Sequence, residues 1–292
     1  MDMKSKKWIV VAVIPVVAVV SMYLGRGFLR DAYDAWRAPV LPQAVPFVAA
    51  PRPGSSVLVP ETPSPFEPGY SSSEHYVLET SPTMRTQPTA EDLLSYEGIV
   101  PVEANLDVPF TTQAPYANWD MPYQEACEEA SAIMVDAFYR GESGEMDALT
   151  ADTAIQKMVA FQKATLGFYE DTTAEQTATV IKDYFGYGDV VVRPFSSSDD
   201  LKRIIALGYP VIVPMAGKLL NNPNFRDGGP IYHMLVIRGY ASNYFITNDP
   251  GTRKGEGYTY GAATILNAAH DWNGGDVANG QRVMIVVVPN PI

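Results

Sequence analysis

Apolar residues are spread along this chain in three ways, and each predicts a different kind of structure. Trp8 to Leu24, WIVVAVIPVVAVVSMYL, is an unbroken run of 17 residues without a charge. A helix of that length spans roughly 26 Å at about 1.5 Å per residue, enough for the hydrocarbon core of a bilayer. From there to about residue 103 apolar positions follow no period. Beyond that point they recur with helical spacing first and then in short Val- and Ile-rich runs, the signature of packed elements.

In this last part the pattern predicts helices over Gln124–Tyr139, Ala151–Ala164, Ala174–Phe185 and Asp199–Leu207. The third begins with Thr173-x-x-Gln176, a capping box. Gly208 stops the fourth. Strands are predicted at Val190–Pro194, Pro210–Met215, Ile231–Tyr240, Tyr244–Asn248 and Val283–Val288, with a late helix at Ala262–His270. Helices first and strands afterwards predict an α+β fold rather than an alternating βαβ one.

Composition refines the other two regions. Twelve of the chain's 24 prolines lie between Pro39 and Pro101, and PRPGSSVLVPETPSPFEPGYSSSE adds serine and glycine. Residues 26–103 therefore read as a semi-rigid extended linker, with short helices expected at Leu29–Trp36 and Ala90–Tyr96. Residues 1–25 read as a cytoplasmic tip and a transmembrane signal-anchor, because three lysines precede the apolar run and place the N-terminus inside. No A-x-A cleavage site follows the run, which favours an anchor over a cleaved signal peptide. Residues 104–292 are then an extracytoplasmic globular domain, long enough for a substantial core. The net charge is −12, from 21 Lys plus Arg against 33 Asp plus Glu, so no electrostatic footprint for nucleic acid is present.

The chain has a single cysteine, Cys127, which excludes an intrachain disulfide and a cysteine-based zinc cluster. It lies in PYQEACEEASAIMVDAFY, near the start of a predicted helix, whose N-terminal dipole stabilises a thiolate. Glu125, Glu128 and Glu129 act in the opposite sense, so an imidazole neighbour is needed to activate the thiol. Of the three histidines, His75 falls in the linker, and His270 ends a helix and reads as a dipole partner or packed residue. His233 lies in a strand, and the next strand ends in Asp249. A hairpin turning at Ala241 places residues 233 and 249 opposite each other, within reach of a hydrogen bond; another turn shifts them by a rung or two. Cys127, His233 and Asp249 then follow the order nucleophile, base, orienting carboxylate.

At these residues the chain resembles a known family. DVPFTTQAPYANWDMPYQEACEEAS, YHMLVIRGY and ITNDPGT are similar to the extracytoplasmic relatives of cysteine peptidase family 39, papain-like proteins akin to the bacteriocin leader peptidases. The resemblance covers about Leu106 to Pro289. It implies a papain-like fold, N-terminal helices packed on an antiparallel sheet, and a Cys127–His233–Asp249 triad that hydrolyses peptide bonds. It also implies a glutamine that donates to the oxyanion, either Gln113, which fits the family's spacing after Val-Pro, or Gln124; Gln113 is the stronger candidate. No cofactor or metal is implied. The expected partners are a peptide or protein substrate and, through residues 8–24, the lipid bilayer.

The chain contains no G-x-x-x-x-G-K-[ST] loop, so nothing in it supports leader removal coupled to a transporter ATPase. Two alternatives remain open from sequence: a cell-wall peptide amidase or endopeptidase of similar fold, and a catalytically inert peptide-binding module. Trp119 and Tyr116 are candidates to line a substrate cleft, and the polar loop Gly217–Pro230 to form its wall or lid.

Overall fold

The structure is a computed structural model that describes residues 38–47 and 99–290. The expected transmembrane helix at Trp8–Leu24, His75 and the short helices at Leu29–Trp36 and Ala90–Tyr96 lie outside the described residues. Among the described residues no helix is long and apolar enough to cross a membrane.

The elements run in chain order β1 (Glu103–Asn105), α1 (Cys127–Tyr139), α2 (Ala148–Thr165), α3 (Ala174–Phe185), β2 (Asp189–Pro194), α4 (Ser198–Ala206), β3 (Val211–Ala216), β4 (Tyr232–Ala241), β5 (Tyr244–Asn248), β6 (Tyr258–Gly261), α5 (Ala262–Ala268) and β7 (Val283–Val288). This is the α+β order the sequence predicts, with every strand pairing antiparallel. The sheet order is β2-β7-β3-β4-β5-β6, and β1 adds to β4. Local chemistry sets several boundaries. Thr173 and Gln176 close both halves of the capping box at α3, whose last turn ends on left-handed Gly186. Ser197 and Asp200 form a second capping box at α4.

Two expectations need correction. The helix expected from Gln124 is broken: Tyr123–Glu125 is a 3₁₀ turn, and α1 begins at Cys127 itself. The stretch read as linker to residue 103 is in part built into the domain. Val45 forms a parallel bridge with Leu106, Phe47 packs on Phe138 and Tyr139, and β1 begins at Glu103.

Every residue of α1 is buried, and its side chains join those of β3, β4 and β7 in one apolar core. A helix buried all round has no solvent face, which explains why its sequence is apolar or small at most positions. β4 is also buried along its whole length. These two fully enclosed elements pack on each other, and they carry Cys127 and His233.

The β4–β5 register contains a bulge that matters for the site. From Ala241↔Tyr244 back to Gly239↔Ile246 the strands pair regularly; then Arg238 is extruded and pairing resumes at Ile237↔Thr247 and Val236↔Asn248. Without that extra residue, Asp249 would fall opposite Val236, on the other face from His233. With it, extension of the register puts Asp249 opposite Leu235, two residues from His233 and on its face. The bulge is held in place: Arg238 donates to Asn105 Oδ1 and Val108 O, and its carbonyl accepts Leu106 N–H. Next to it only glycine fits, since a Cβ on Gly239 would lie 2.6 Å from the Ala104 carbonyl oxygen.

Candidate active site

His233 and Asp249 meet as a buried pair. His233 Nε2 and Asp249 Oδ1 are 2.8 Å apart, and the side chains are 1% and 0% exposed. The carboxylate is saturated with donors. Oδ1 also accepts the Gly251 N–H at 3.0 Å; Oδ2 accepts the Tyr260 hydroxyl at 2.5 Å and, at 3.4 Å, the Asn222 amide. Asn222 also donates to the Tyr260 oxygen at 2.7 Å, closing the network. Burial alone would raise the Asp249 pKa, but the His233 ring and the hydrogen bonds from His233, Tyr260 and Gly251 outweigh it and hold the carboxyl below its ordinary range. The same carboxylate, after burial, drives the Tyr260 phenol far above its usual value, so it remains a donor.

Phe225 stands edge-on to the imidazole, with centroids 5.4 Å apart. A Cβ on Gly251 would lie 2.9 Å from His233 Cε1. The ring is thus fixed on two sides, and among the described residues its other nitrogen, Nδ1, carries no hydrogen bond. His233 lines a cavity of about 1030 Å³, whose walls also include Gln113, Trp119, Glu125, Asp171, Arg226, Asp227, Tyr232, Arg253 and Trp272. The loop Gly217–Pro230 supplies Phe225 and Arg226 to that wall, as expected. Trp119 lines it as well, whereas Tyr116 is not part of the wall.

Cys127 is the first residue of α1, where the N–H groups of the first turn have no intrahelical acceptor. Its Sγ lies 3.0 Å from Glu128 Oε2, and no hydrogen bond joins it to His233. Burial, then the charge and hydrogen bond of Glu128, push the thiol well above its ordinary pKa, while the Met234 backbone N–H favours the thiolate. Burial also raises Glu128, to about 8, with Asp171 and Glu125 adding repulsion, and it raises Glu129 well above its ordinary value. The sequence expectation that these glutamates oppose thiolate formation agrees with the geometry.

Gln113 is buried beside the cavity. Its Nε2 donates to the carbonyls of Tyr123 and Gln124, at 2.9 and 3.1 Å, and its Oε1 is buried without a partner. Gln124 lines the same cavity, is exposed and donates to Glu125. Gln113 is joined to the loop that follows Asp249: its backbone N–H is tied to Pro250 O, and the Thr112 hydroxyl donates to the same carbonyl. Its amide hydrogens, however, face the 123–125 turn. His270 lies apart, with each ring nitrogen against a backbone carbonyl, Gly280 O and Asn267 O.

Sequence reasoning missed Tyr260, Asn222 and Phe225. Tyr260 sits on a four-residue strand, too short to announce itself, and Asn222 and Phe225 lie in an irregular loop that the sequence marks as a wall or lid without singling out either residue. Among the described residues no group of three or more His, Cys, Asp or Glu is placed to hold a metal ion.

Comparison with known proteins follows the same lines. The family model for the peptidase C39-like family matches residues 105–274. No curated protein matches. A crystal structure described as that of a candidate C39-like peptidase from Bacillus anthracis is similar at 16% identity, covering 65% of this chain and 99% of that one, with a TM-score of 0.43.

Proposed function

Because the chain belongs to the peptidase C39-like family, we propose that it is a cysteine peptidase that hydrolyses peptide bonds with Cys127 as nucleophile, His233 as base and Asp249 as the orienting carboxylate. The observation that carries this reading is the buried His233–Asp249 pair at 2.8 Å, its imidazole lining a large cavity, on a strand packed against the helix that starts with the chain's single cysteine.

The chemistry runs in two steps. The Cys127 proton passes to His233 Nδ1, and the thiolate attacks the carbonyl carbon. The first-turn N–H of Cys127 faces the developing oxyanion. Gln113 joins it if one amide hydrogen leaves the 123–125 turn; such a donor is typically worth about 3 kcal/mol. The imidazolium then protonates the leaving amine, and water releases the acyl group by the reverse sequence. Asp249 holds the ring in one tautomer throughout.

The membrane-anchored, extracytoplasmic setting is part of the proposal and rests on the uncharged run Trp8–Leu24 after three lysines. A peptide or protein substrate follows from the family. Cys127→Ala is expected to abolish cleavage of a fluorogenic peptide library while leaving the circular dichroism unchanged. Retained cleavage in that variant would end the reading.

A second reading is a peptide-binding module without catalysis. It is favoured by the Cys127–Glu128 hydrogen bond and by the amide hydrogens of Gln113 facing the turn. Peptide capture by the wild type with no turnover at any pH would select it.

A further inference from the structure

Residues i and i+1 of a helix do not face each other. The Cys127–Glu128 hydrogen bond is therefore a contact the helix does not supply by itself; the sulfur's other hydrogen-bond partner is the backbone N–H of Met234, the residue after His233. The carboxyl that receives it is fixed. Glu128 is 2% exposed, and its Oε1 accepts the Thr172 backbone N–H at 3.2 Å. Thr172 is itself held, by its hydroxyl against Thr177 Oγ1 and by its carbonyl, which accepts the Tyr232 hydroxyl. His233 and Gln113 line the cavity, whereas Cys127 does not.

We propose that Glu128 is a positioning residue that holds the Cys127 sulfur in a resting orientation through its carboxyl group and releases it toward His233 when that carboxyl is neutral. This rests on the peptidase reading of the same site. On release the S–H proton passes from Sγ to His233 Nδ1, giving thiolate and imidazolium, and Glu128 neither gains nor loses a proton in that step. An ionised Glu128 pins the proton as S–H···O⁻, a charge-assisted hydrogen bond; a neutral one leaves only a weak contact.

The titratable groups that act on the pair are Glu125 from the preceding turn, Glu129 from α1, Asp171 from the loop before α3 and Tyr232 from β4, with Glu170 acting on Glu129 and Asp271 on Tyr232. The acids among them favour the neutral carboxyl, and Glu128 changes state near pH 8.

The test is the rate of iodoacetamide alkylation of the full chain in detergent micelles between pH 6 and pH 9. The single thiol makes the label unambiguous, with Cys127→Ser as the blank. Glu128→Gln keeps the shape of the neutral carboxyl and cannot ionise. Its rate is expected to equal that of the wild type at pH 6 and to exceed it about tenfold at pH 9, where the lost repulsion is worth about one pKa unit. A merely structural role would change the rate by the same factor at every pH, and a flat ratio would overturn the proposal.

Should Glu128→Gln fail to fold, the wild type carries the test by Raman spectroscopy. Its S–H stretching band is expected to move to lower frequency as pH rises through about 8, and an unmoved band would overturn the proposal. Adding His233→Ala separates the two levels. A rate that falls with His233→Ala but shows a flat Glu128→Gln ratio sinks only the resting orientation. A rate indifferent to His233→Ala sinks the peptidase reading with it.

Discussion

The two walls of the site are both buried and both rich in ionisable groups, but they are finished to different degrees. On the sheet side Asp249 receives four donors, and its carboxyl is held below the ordinary range. On the helix side Glu128 and Glu129 are buried as deeply, are raised well above the ordinary range, and leave Glu129 Oε2 with no partner. Burial is equal; satisfaction is not. A buried carboxylate is tolerated only where hydrogen bonds replace its hydration, and otherwise it takes up a proton. The sheet side is thus organised around a fixed charge, and the helix side around carboxyls that prefer to be neutral.

If the sheet side works through that charge, removing the charge while keeping the shape is the sharpest way to break the comparison. Asp249→Asn is expected to fold and to lower kcat/KM for peptide hydrolysis on the order of 10⁴-fold, because an amide favours the wrong imidazole tautomer and cannot stabilise its cation. Steady-state kinetics against the wild type measure it. A loss below about tenfold would mean that Asp249 only packs the ring.

A smaller effect is expected where the ring is steered rather than charged. In Gly251→Ala the new Cβ would lie 2.9 Å from both His233 Cε1 and Phe225 Cε1, closer than such carbons approach, so the imidazole or Phe225 must shift. Displacing a catalytic group by a fraction of an ångström to an ångström costs up to about 10²-fold in rate. The loss should fall on kcat, with KM little changed, and Phe225→Leu in the same chain should recover part of it. Loss confined to KM would show that Gly251 shapes the cavity and not the base.

The asymmetry between the walls also marks what sequence could show. The α+β order, the capping box at Thr173 and the bounds of α3, β5 and β7 were legible because each is written in local chemistry: a cap, a glycine, a run of β-branched residues. Cys127, His233 and Asp249 were legible as residue types on neighbouring elements. Their relation was not. A hairpin turning at Ala241 was expected to set residues 233 and 249 face to face, but the turn lies at Ser242–Asn243 and the Arg238 bulge restores the shared face. A bulge is decided by long-range partners, here Asn105, Val108 and Leu106, and leaves no periodic trace. The Cys127–Glu128 contact was invisible for a similar reason, since adjacent helix positions are expected to diverge and the deviation depends on Thr172, 44 residues away.

The smallest of the expected effects probes the helix wall through stability instead of rate. Glu129 is 0% exposed; its Oε1 accepts the Gln162 amide, and burial, then the charge of Glu128, hold its carboxyl in the protonated form. In the unfolded chain the same group ionises above its ordinary value of 4.5. As pH rises past that value the unfolded state releases a proton that the folded state keeps, so Glu129 destabilises the fold progressively until the raised folded pKa is reached. Asp249 acts in the opposite sense: its contribution is present above the ordinary carboxyl range and is lost only as pH falls through its lowered folded value. Glu129→Gln keeps the acceptor for Gln162 and removes the titration. Relative to the wild type it should be more stable at pH 6, above the unfolded value, and equal to it near pH 4. Urea denaturation at the two pH values measures the difference. A gain of the same size at both would locate the effect in packing, and the helix wall would then be as settled as the sheet wall.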